Sequence, residues 1–342
     1  MKPLKQLVRP NIWDLIPRHQ LVSEQPNHKT DCCLNMNENP YNKPFNRYPD
    51  PFQAELKDVL SEVKQIPTNY IFLGNGLDEM VDFIYRIFCE PKSDNVVAIA
   101  PTRTLYEIYA RINNVKYLPV LLDEHFGISA KKILSACNHK TKVIWLCSPN
   151  SPTGNCIEEN IIKEVLQSFQ SIVVLDESYI DFSKQASFRK YLAHYPNLII
   201  LDSMSKAWAC ASLRLSMGYA HPEIIEQFNK ITSPYHISTF TQQQATATLK
   251  DRFEVEKRIT TIVQECKRMQ NAFSLLPQCV KVFPSKANFF LAKMNNVQEV
   301  YNFLIQNNIY LYNCTNMPLC NNCLRISVGS KTDNNKLLAM LR

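Results

Sequence analysis

Lys206 stands in the stretch LDSMSKAWACASLRLSMG (201–218), flanked by Ser203 and Ser205, with Arg214 further on and the apolar run NLIILD just before it. A lysine held among small and apolar residues is penalised in its charged form, and a neutral amine is a nucleophile. Alone, such an S–K pair reads as a surface lysine at a strand-to-helix turn. Its meaning depends on what the chain puts at equivalent places. Gly74 and Gly76 close the run NYIFLGNG, and Leu77 and Asp78 then open the helical stretch LDEMVDFIYRIFCE. The N–H groups of such a helix start face an anion. Asn150 and Gly154 lie in SPNSPTG, after KVIWLC, and Asp176 and Tyr179 follow SIVVL.

An amine, a carboxylate, a phenol, a carboxamide, hydroxyls, a guanidinium and a helix N-terminus are together what pyridoxal 5′-phosphate needs. The lysine forms the Schiff base. The aspartate keeps the pyridine nitrogen protonated, which makes the ring an electron sink. Donors such as Asn150 and Tyr179 tune the phenolate oxygen, and hydroxyls, backbone amides and an arginine bind the phosphate.

The elements that must position these residues alternate along the chain. NYIFLG, NVVAIAP, KVIWLC, SIVVLD and NLIILDS read as strands, separated by helical stretches with apolar spacing. Their apolar runs are continuous rather than alternating, as in a mostly parallel sheet covered on both faces. Ligands of such sheets bind beyond the carboxyl ends of the strands, where the residues above stand. Residues 1–35, with Pro10, Pro17 and Pro26, read as an irregular arm, 36–232 as a large α/β domain, and 233–342 as a smaller α+β domain.

Composition excludes other classes. A net charge of +7 with no Lys/Arg block gives no indication of nucleic-acid binding, and a mildly positive field suits anionic substrates. No apolar run has membrane-spanning length and the N-terminus has no signal-peptide core, so a cytoplasmic protein is expected. The twelve cysteines are scattered and read as reduced thiols. CNNC (320–323) lacks a second pair, so no metal site is expected.

The motifs NENPY, RYPDP, GNGLDE, FCEP, CSPNSPTG, LDESYIDF, SMSKAW, LR before LSMG, PSKANFFLA and CLRISVG span almost the whole chain. In this order and spacing the sequence resembles the fold-type-I pyridoxal-phosphate-dependent aminotransferases, in the subgroup of histidinol-phosphate aminotransferases. The resemblance implies an α/β fold with a mostly parallel, seven-stranded-type sheet and a smaller C-terminal α+β domain. The implied reaction is transamination between histidinol phosphate and 2-oxoglutarate. It implies Lys206 as the Schiff-base and proton-shuttling lysine, Asp176 at the pyridine nitrogen, and Asn150 and Tyr179 at the phenolate oxygen. Ser203, Ser205, Arg214 and the backbone of Leu77 and Asp78 would hold the cofactor phosphate. Tyr48 would reach the phosphate of a neighbouring subunit, which implies a homodimer with shared sites, and Arg325 would bind the anionic group of the substrate.

The sequence departs from this family in places that touch the substrate end. Arg103, in PTRTLY, stands where an aromatic residue usually stacks on the cofactor ring; a guanidinium plane can also stack there. Tyr312 replaces an arginine, and Arg18 replaces a tyrosine after NIWDLIP, so the two residue types look exchanged. ACAS (209–212) replaces a glycine-containing turn. A diverged relative acting on aromatic amino acids or decarboxylating phosphothreonine is the alternative. A non-catalytic relative is disfavoured by the intact Lys206, Asp176, Tyr179, Asn150 and Arg214.

Overall fold

The computed structural model describes residues 1–17, 32 and 34–342. Helices α1 (Leu4–Leu7), α2 (Pro10–Trp13) and α3 (Ala54–Lys64) precede the first strand. The large sheet is built from β1 (Ile71–Gly74), β2 (Asn95–Ala100), β3 (Lys116–Leu121), β4 (Thr141–Cys147), β5 (Ile172–Asp176), β6 (Leu198–Ser203) and β7 (Ser216–Ala220). Between the strands run α4 (Leu77–Phe88), α5 (Thr104–Ile112), α6 (Ala130–Ser135) and α7 (Glu159–Ser168). After them come α8 (Pro222–Ile231), α9 (Thr239–Lys250) and the long α10 (Arg252–Phe273). The chain ends with β8 (Cys279–Phe283), β9 (Phe289–Met294), α11 (Val297–Gln306), β10 (Tyr312–Asn313), β11 (Cys323–Ser327) and α12 (Lys331–Leu341).

The described residues form a seven-stranded sheet of order β1-β7-β6-β5-β4-β2-β3 and a four-stranded sheet of order β10-β11-β9-β8. In the large sheet β2 to β6 pair in parallel, and β7 runs antiparallel to both β1 and β6. Side chains alternate between two apolar layers. Ile144, Leu146, Val173, Leu175, Leu198 and Ile200 face one, and Val143, Trp145, Ile172, Val174, Ile199 and Leu201 face the other. Both faces are covered, which is why these strands read as unbroken apolar runs. Truncating one of these leucines to alanine costs about 2–5 kcal/mol.

Two strands of the large sheet did not stand out in the sequence. β3 lies at the sheet edge, is largely exposed, and carries Lys116 and Pro119, which suit an edge. β7 is a short run, SMGYA, close behind the lysine turn. The first residues also differ from an irregular arm. Leu4 and Leu7 of α1, Val8 after it and Ile12 of α2 are buried in the layer that also holds residues of α4 and α8. Helix α10 spans two cores, with Val255 in the large one and Cys266, Met269 and Phe273 in the small one.

Register places the site. Asp176 pairs with Cys147 on one side and Leu201 on the other, so β4, β5 and β6 end together. Ser216 pairs with both Gly74 and Ser203, so β7 aligns the end of β1 with that of β6. Asn150, Asp176, Ser203, Lys206 and the turn at Gly76 therefore meet along one edge. Among the described residues no helix is long and apolar enough to cross a membrane, and no group of His, Cys, Asp or Glu could hold a metal ion.

Candidate active site

Asp176 is fully buried. Its Oδ1 accepts the Ser178 N–H at 2.9 Å and the Ser178 hydroxyl at 2.5 Å. Its Oδ2 accepts the Tyr106 hydroxyl at 2.7 Å and the Arg103 guanidinium at 3.1 Å. Tyr106 comes from the buried face of α5 and stacks on Trp145 with centroids 4.8 Å apart. Burial, and then the charge of Asp176, pushes its phenol well above the ordinary range, so it stays a donor.

Lys206 lines a cleft of about 240 Å³ together with Arg103, Tyr179, Asp78, Tyr312 and Arg325. Its Nζ lies 5.9 Å from the centre of the Tyr179 ring. Burial, and then the cations of Arg103 and Arg325, lowers its pKa, while Asp176 opposes the shift. A neutral amine thus becomes more available than on an exposed lysine. The Tyr179 ring packs edge-on against Phe289, 5.1 Å away, and burial raises its pKa despite Arg103 and Arg325.

Next to Lys206 is an anion cradle. Gly76 caps α4 with φ +84°, and a Cβ there would fall 2.5 Å from Arg214 Nη2. Only glycine admits both that backbone and that guanidinium. Arg214 is itself left-handed (φ +49°) and pairs with Asp78 at 3.2 Å. Both side chains are half exposed, so the pair is weak and can be exchanged for a stronger anion. The Asn75 N–H donates to Glu79 Oε2 at 2.7 Å, which fixes the turn. On the facing strand end, Ser203 Oγ accepts the Ser205 N–H at 3.1 Å.

Asn150 sits beside this cleft with its amide hydrogens directed at the Pro101 carbonyl (2.9 Å) and Thr153 Oγ1 (2.8 Å), while its Oδ1 accepts from Thr102 at 2.7 Å. In this arrangement it braces the loops around the cleft. At the mouth, Tyr312 and Arg325 are direct cross-strand partners on β10 and β11, and the guanidinium lies 4.5 Å from the tyrosine ring centre. Arg325 Nη1 donates to Ser151 Oγ at 2.8 Å, and its buried Nε has no hydrogen-bond partner among the described residues. Tyr48 is on the surface, stacked 4.6 Å from Tyr235, and does not line the cleft. Arg18 lies outside the described residues. Sequence reasoning missed Tyr106, Ser178 and Ser151. Each stands within three residues of a residue it did single out; for Ser178 and Ser151 a hydroxyl beside a strand end was the available signal, whereas Tyr106 lies within helix α5.

These residues fit a phosphorylated aldehyde cofactor with a ring nitrogen: a lysine of lowered basicity, a buried carboxylate, and a glycine-capped helix start with an arginine against it. The sequence profile for aminotransferase class I and II matches residues 28–341. The chain belongs to this family. A protein of Bacteroides thetaiotaomicron named histidinol-phosphate aminotransferase is 47% identical over 100% of this chain and 99% of its own length. One of the same name from Parabacteroides distasonis is 43% identical over 100% and 99%. Among solved structures, the histidinol-phosphate aminotransferase from Clostridium acetobutylicum superposes with a TM-score of 0.81 at 25% identity, covering 87% of this chain and 90% of that one. The one from Sinorhizobium meliloti, solved in complex with pyridoxal-5′-phosphate, gives 0.79 at 20% identity, covering 86% and 82%. This chain is a pyridoxal-phosphate-dependent aminotransferase of fold type I.

Proposed function

We propose that this aminotransferase moves the amino group of histidinol phosphate to 2-oxoglutarate, yielding imidazole acetol phosphate and glutamate. The observation that carries this reading is the match, over the full chain, to histidinol-phosphate aminotransferases at 43–47% identity. The cleft agrees with it, since Arg103, Lys206 and Arg325 line one small space that suits an anionic substrate.

Pyridoxal phosphate, when bound, supplies a ring that withdraws electrons from the carbon bearing the amino group. Asp176 would hold the proton at the ring nitrogen, and its own donors fix its orientation. Lys206 would hold the cofactor through its Nζ and, once substrate had freed it, would carry the proton from the substrate carbon bearing the amino group to the cofactor's former aldehyde carbon, across the intervening nitrogen. Its lowered basicity serves this role. Tyr179 serves the phenolate oxygen, and Asn150 would join it by releasing the hydrogen bond it donates to Thr153. Leu77 and Asp78 offer backbone N–H groups to the phosphate, with Ser203, Ser205 and Arg214. Arg325, which lines the cleft, grips the anionic end of the substrate with its guanidinium, and Tyr312 with Arg18 adds hydrogen bonds to the substrate phosphate. Arg103 flanks the cofactor ring.

The protein acts as a homodimer, with Tyr48 reaching the partner's phosphate site. Tyr41, Phe45, Tyr48 and Phe52 expose apolar surface on one segment, beside exposed Phe240, and such a patch suits an interface. A cytoplasmic setting agrees with cysteines that are free among the described residues.

The test mixes purified protein in turn with histidinol phosphate, glutamate, aromatic amino acids and phosphothreonine, and follows the cofactor absorbance. Rapid spectral conversion by histidinol phosphate and by glutamate is expected. Conversion by phosphothreonine with release of carbon dioxide, and none by histidinol phosphate, would replace the reading. Mixing Lys206→Ala with Tyr48→Phe should restore activity through hybrid dimers, and a monomer at micromolar concentration rules out the shared site.

A further inference from the structure

A carboxylate has about four lone-pair positions, and Asp176 uses four: two for Ser178, one for Tyr106 and one for Arg103. A protonated ring nitrogen needs one of them. The four donors differ in how readily they can leave. The two from Ser178 are local, two residues away, on a buried residue. Tyr106 is completely buried and clamped on Trp145. Arg103 makes the longest link to Oδ2, from a side chain that is 19% exposed and lines the cleft. It stands just before α5, so its side chain can move without disturbing the helix. It also has somewhere to go, since its guanidinium already lies 5.9 Å from the Tyr179 ring centre, on the side of the cleft that Lys206 shares.

We propose that Arg103 competes with the ring nitrogen of the cofactor for one lone pair of Asp176, and so sets how tightly this chain holds pyridoxal phosphate. Among the described residues Arg103 is the one cation in salt-bridge contact with Asp176. Without a ring nitrogen present, the guanidinium neutralises a carboxylate that would otherwise be a buried, unpaired charge. With a ring nitrogen present, the pyridinium takes over that role and Arg103 turns over the Tyr179 face. Arg103 therefore stabilises the protein and weakens its cofactor grip at once. A residue with a merely structural role would move both quantities in one direction.

The inference rests on Asp176 being the partner of the ring nitrogen, and the experiment separates the two. Full-length protein is stripped of cofactor and titrated with pyridoxal phosphate and with its analogue in which CH replaces the ring nitrogen. Arg103→Met is expected to bind pyridoxal phosphate roughly ten- to hundredfold more tightly, the equivalent of one charge-assisted hydrogen bond. The gain should be smaller for the analogue, which asks nothing of Asp176. The stripped variant should melt at a lower temperature than the stripped parent. Arg103→Gln, which keeps the reach and loses the charge, should show the same two changes at smaller size and serves if the methionine variant does not fold. Unchanged or weaker binding of pyridoxal phosphate in folded Arg103→Met or Arg103→Gln overturns the competition. The parent should prefer pyridoxal phosphate to the analogue and Asp176→Asn should not. If that preference survives in Asp176→Asn, the assignment of Asp176 falls instead.

Discussion

At the floor of the cleft, the polar atoms of Asp176 and Asn150 have fixed partners, supplied by residues at neighbouring strand ends and the loops that follow them. At its mouth, Arg325 and Tyr312 line the open cleft, Tyr312 is 44% exposed, and among the described residues the Arg214 guanidinium pairs with a half-exposed carboxylate. The floor is set by β-sheet register, which a parallel sheet covered on both faces holds rigidly. The mouth is set by contacts between the large sheet and the small one, such as Arg325 to Ser151. A saturated floor defines the chemistry, and an unsaturated mouth leaves hydrogen-bonding capacity for whatever enters.

The contrast can be broken first at Lys206, where floor and mouth meet. Lys206→Ala should lower turnover by on the order of 10⁴-fold or more, because attachment and proton transfer fail together. Residual activity within tenfold of the parent in a steady-state assay would sever the lysine from the chemistry. Asp176→Asn comes next. It keeps the shape but loses the charge, so turnover should fall by roughly 10²- to 10³-fold while cofactor still binds. Near-normal turnover would show that the floor is only scaffolding.

Glu177 sharpens the comparison from the other side of the chain. It follows Asp176 directly, is buried, and has neutral donors only: the Ser187 hydroxyl and the Phe188 N–H at 2.8 Å. Burial pushes its pKa up to about 7 against these bonds. The folded protein therefore binds a proton that the unfolded chain has already released, and stability falls as pH rises from the ordinary carboxylate range through about 7. At about 1.4 kcal/mol per unit the loss is roughly 3 kcal/mol. Melting temperatures from pH 5 to 8 should slope downward, and Glu177→Gln should flatten that slope. An identical slope in the variant would assign it to another group. The smallest expected effect is at the mouth. Tyr312→Phe keeps the ring over Arg325 and removes one hydroxyl, so kcat/KM for histidinol phosphate should fall by about 1 kcal/mol, with glutamate unaffected. A loss shared equally by both substrates would take Tyr312 away from the phosphate.

What the sequence disclosed follows the same division. Lys206, Asp176, Tyr179, Asn150 and the Gly74–Gly76 turn were legible because each is contiguous with an apolar strand, and strand ends of a parallel sheet share one edge. The bond from Tyr106 to Asp176 was not, since it depends on α5 packing Tyr106 against Trp145 in the layer below. Arg103 was legible as a residue out of place, yet its contact with Asp176 needs the depth of the cleft. The pairing of Tyr312 with Arg325 rests on a two-residue strand, too short to carry a periodic signal. Helix α9, TFTQQQATATLK, escaped notice because its polar residues and threonines mask the apolar stripe of Ala245 and Leu249 that packs on the large core.

Among the described residues strand β1 pairs with β7 alone, and β7 is the last strand of that sheet to be synthesised. On the ribosome, β1 and the glycine turn that follows it must wait, apolar and unpaired, until residue 220 has emerged. Non-local pairings of this kind slow folding and expose the chain to aggregation. The phosphate cradle at Gly76 is therefore among the latest features to mature, and the first moment at which a nascent chain can capture its cofactor is also the moment at which its large sheet closes.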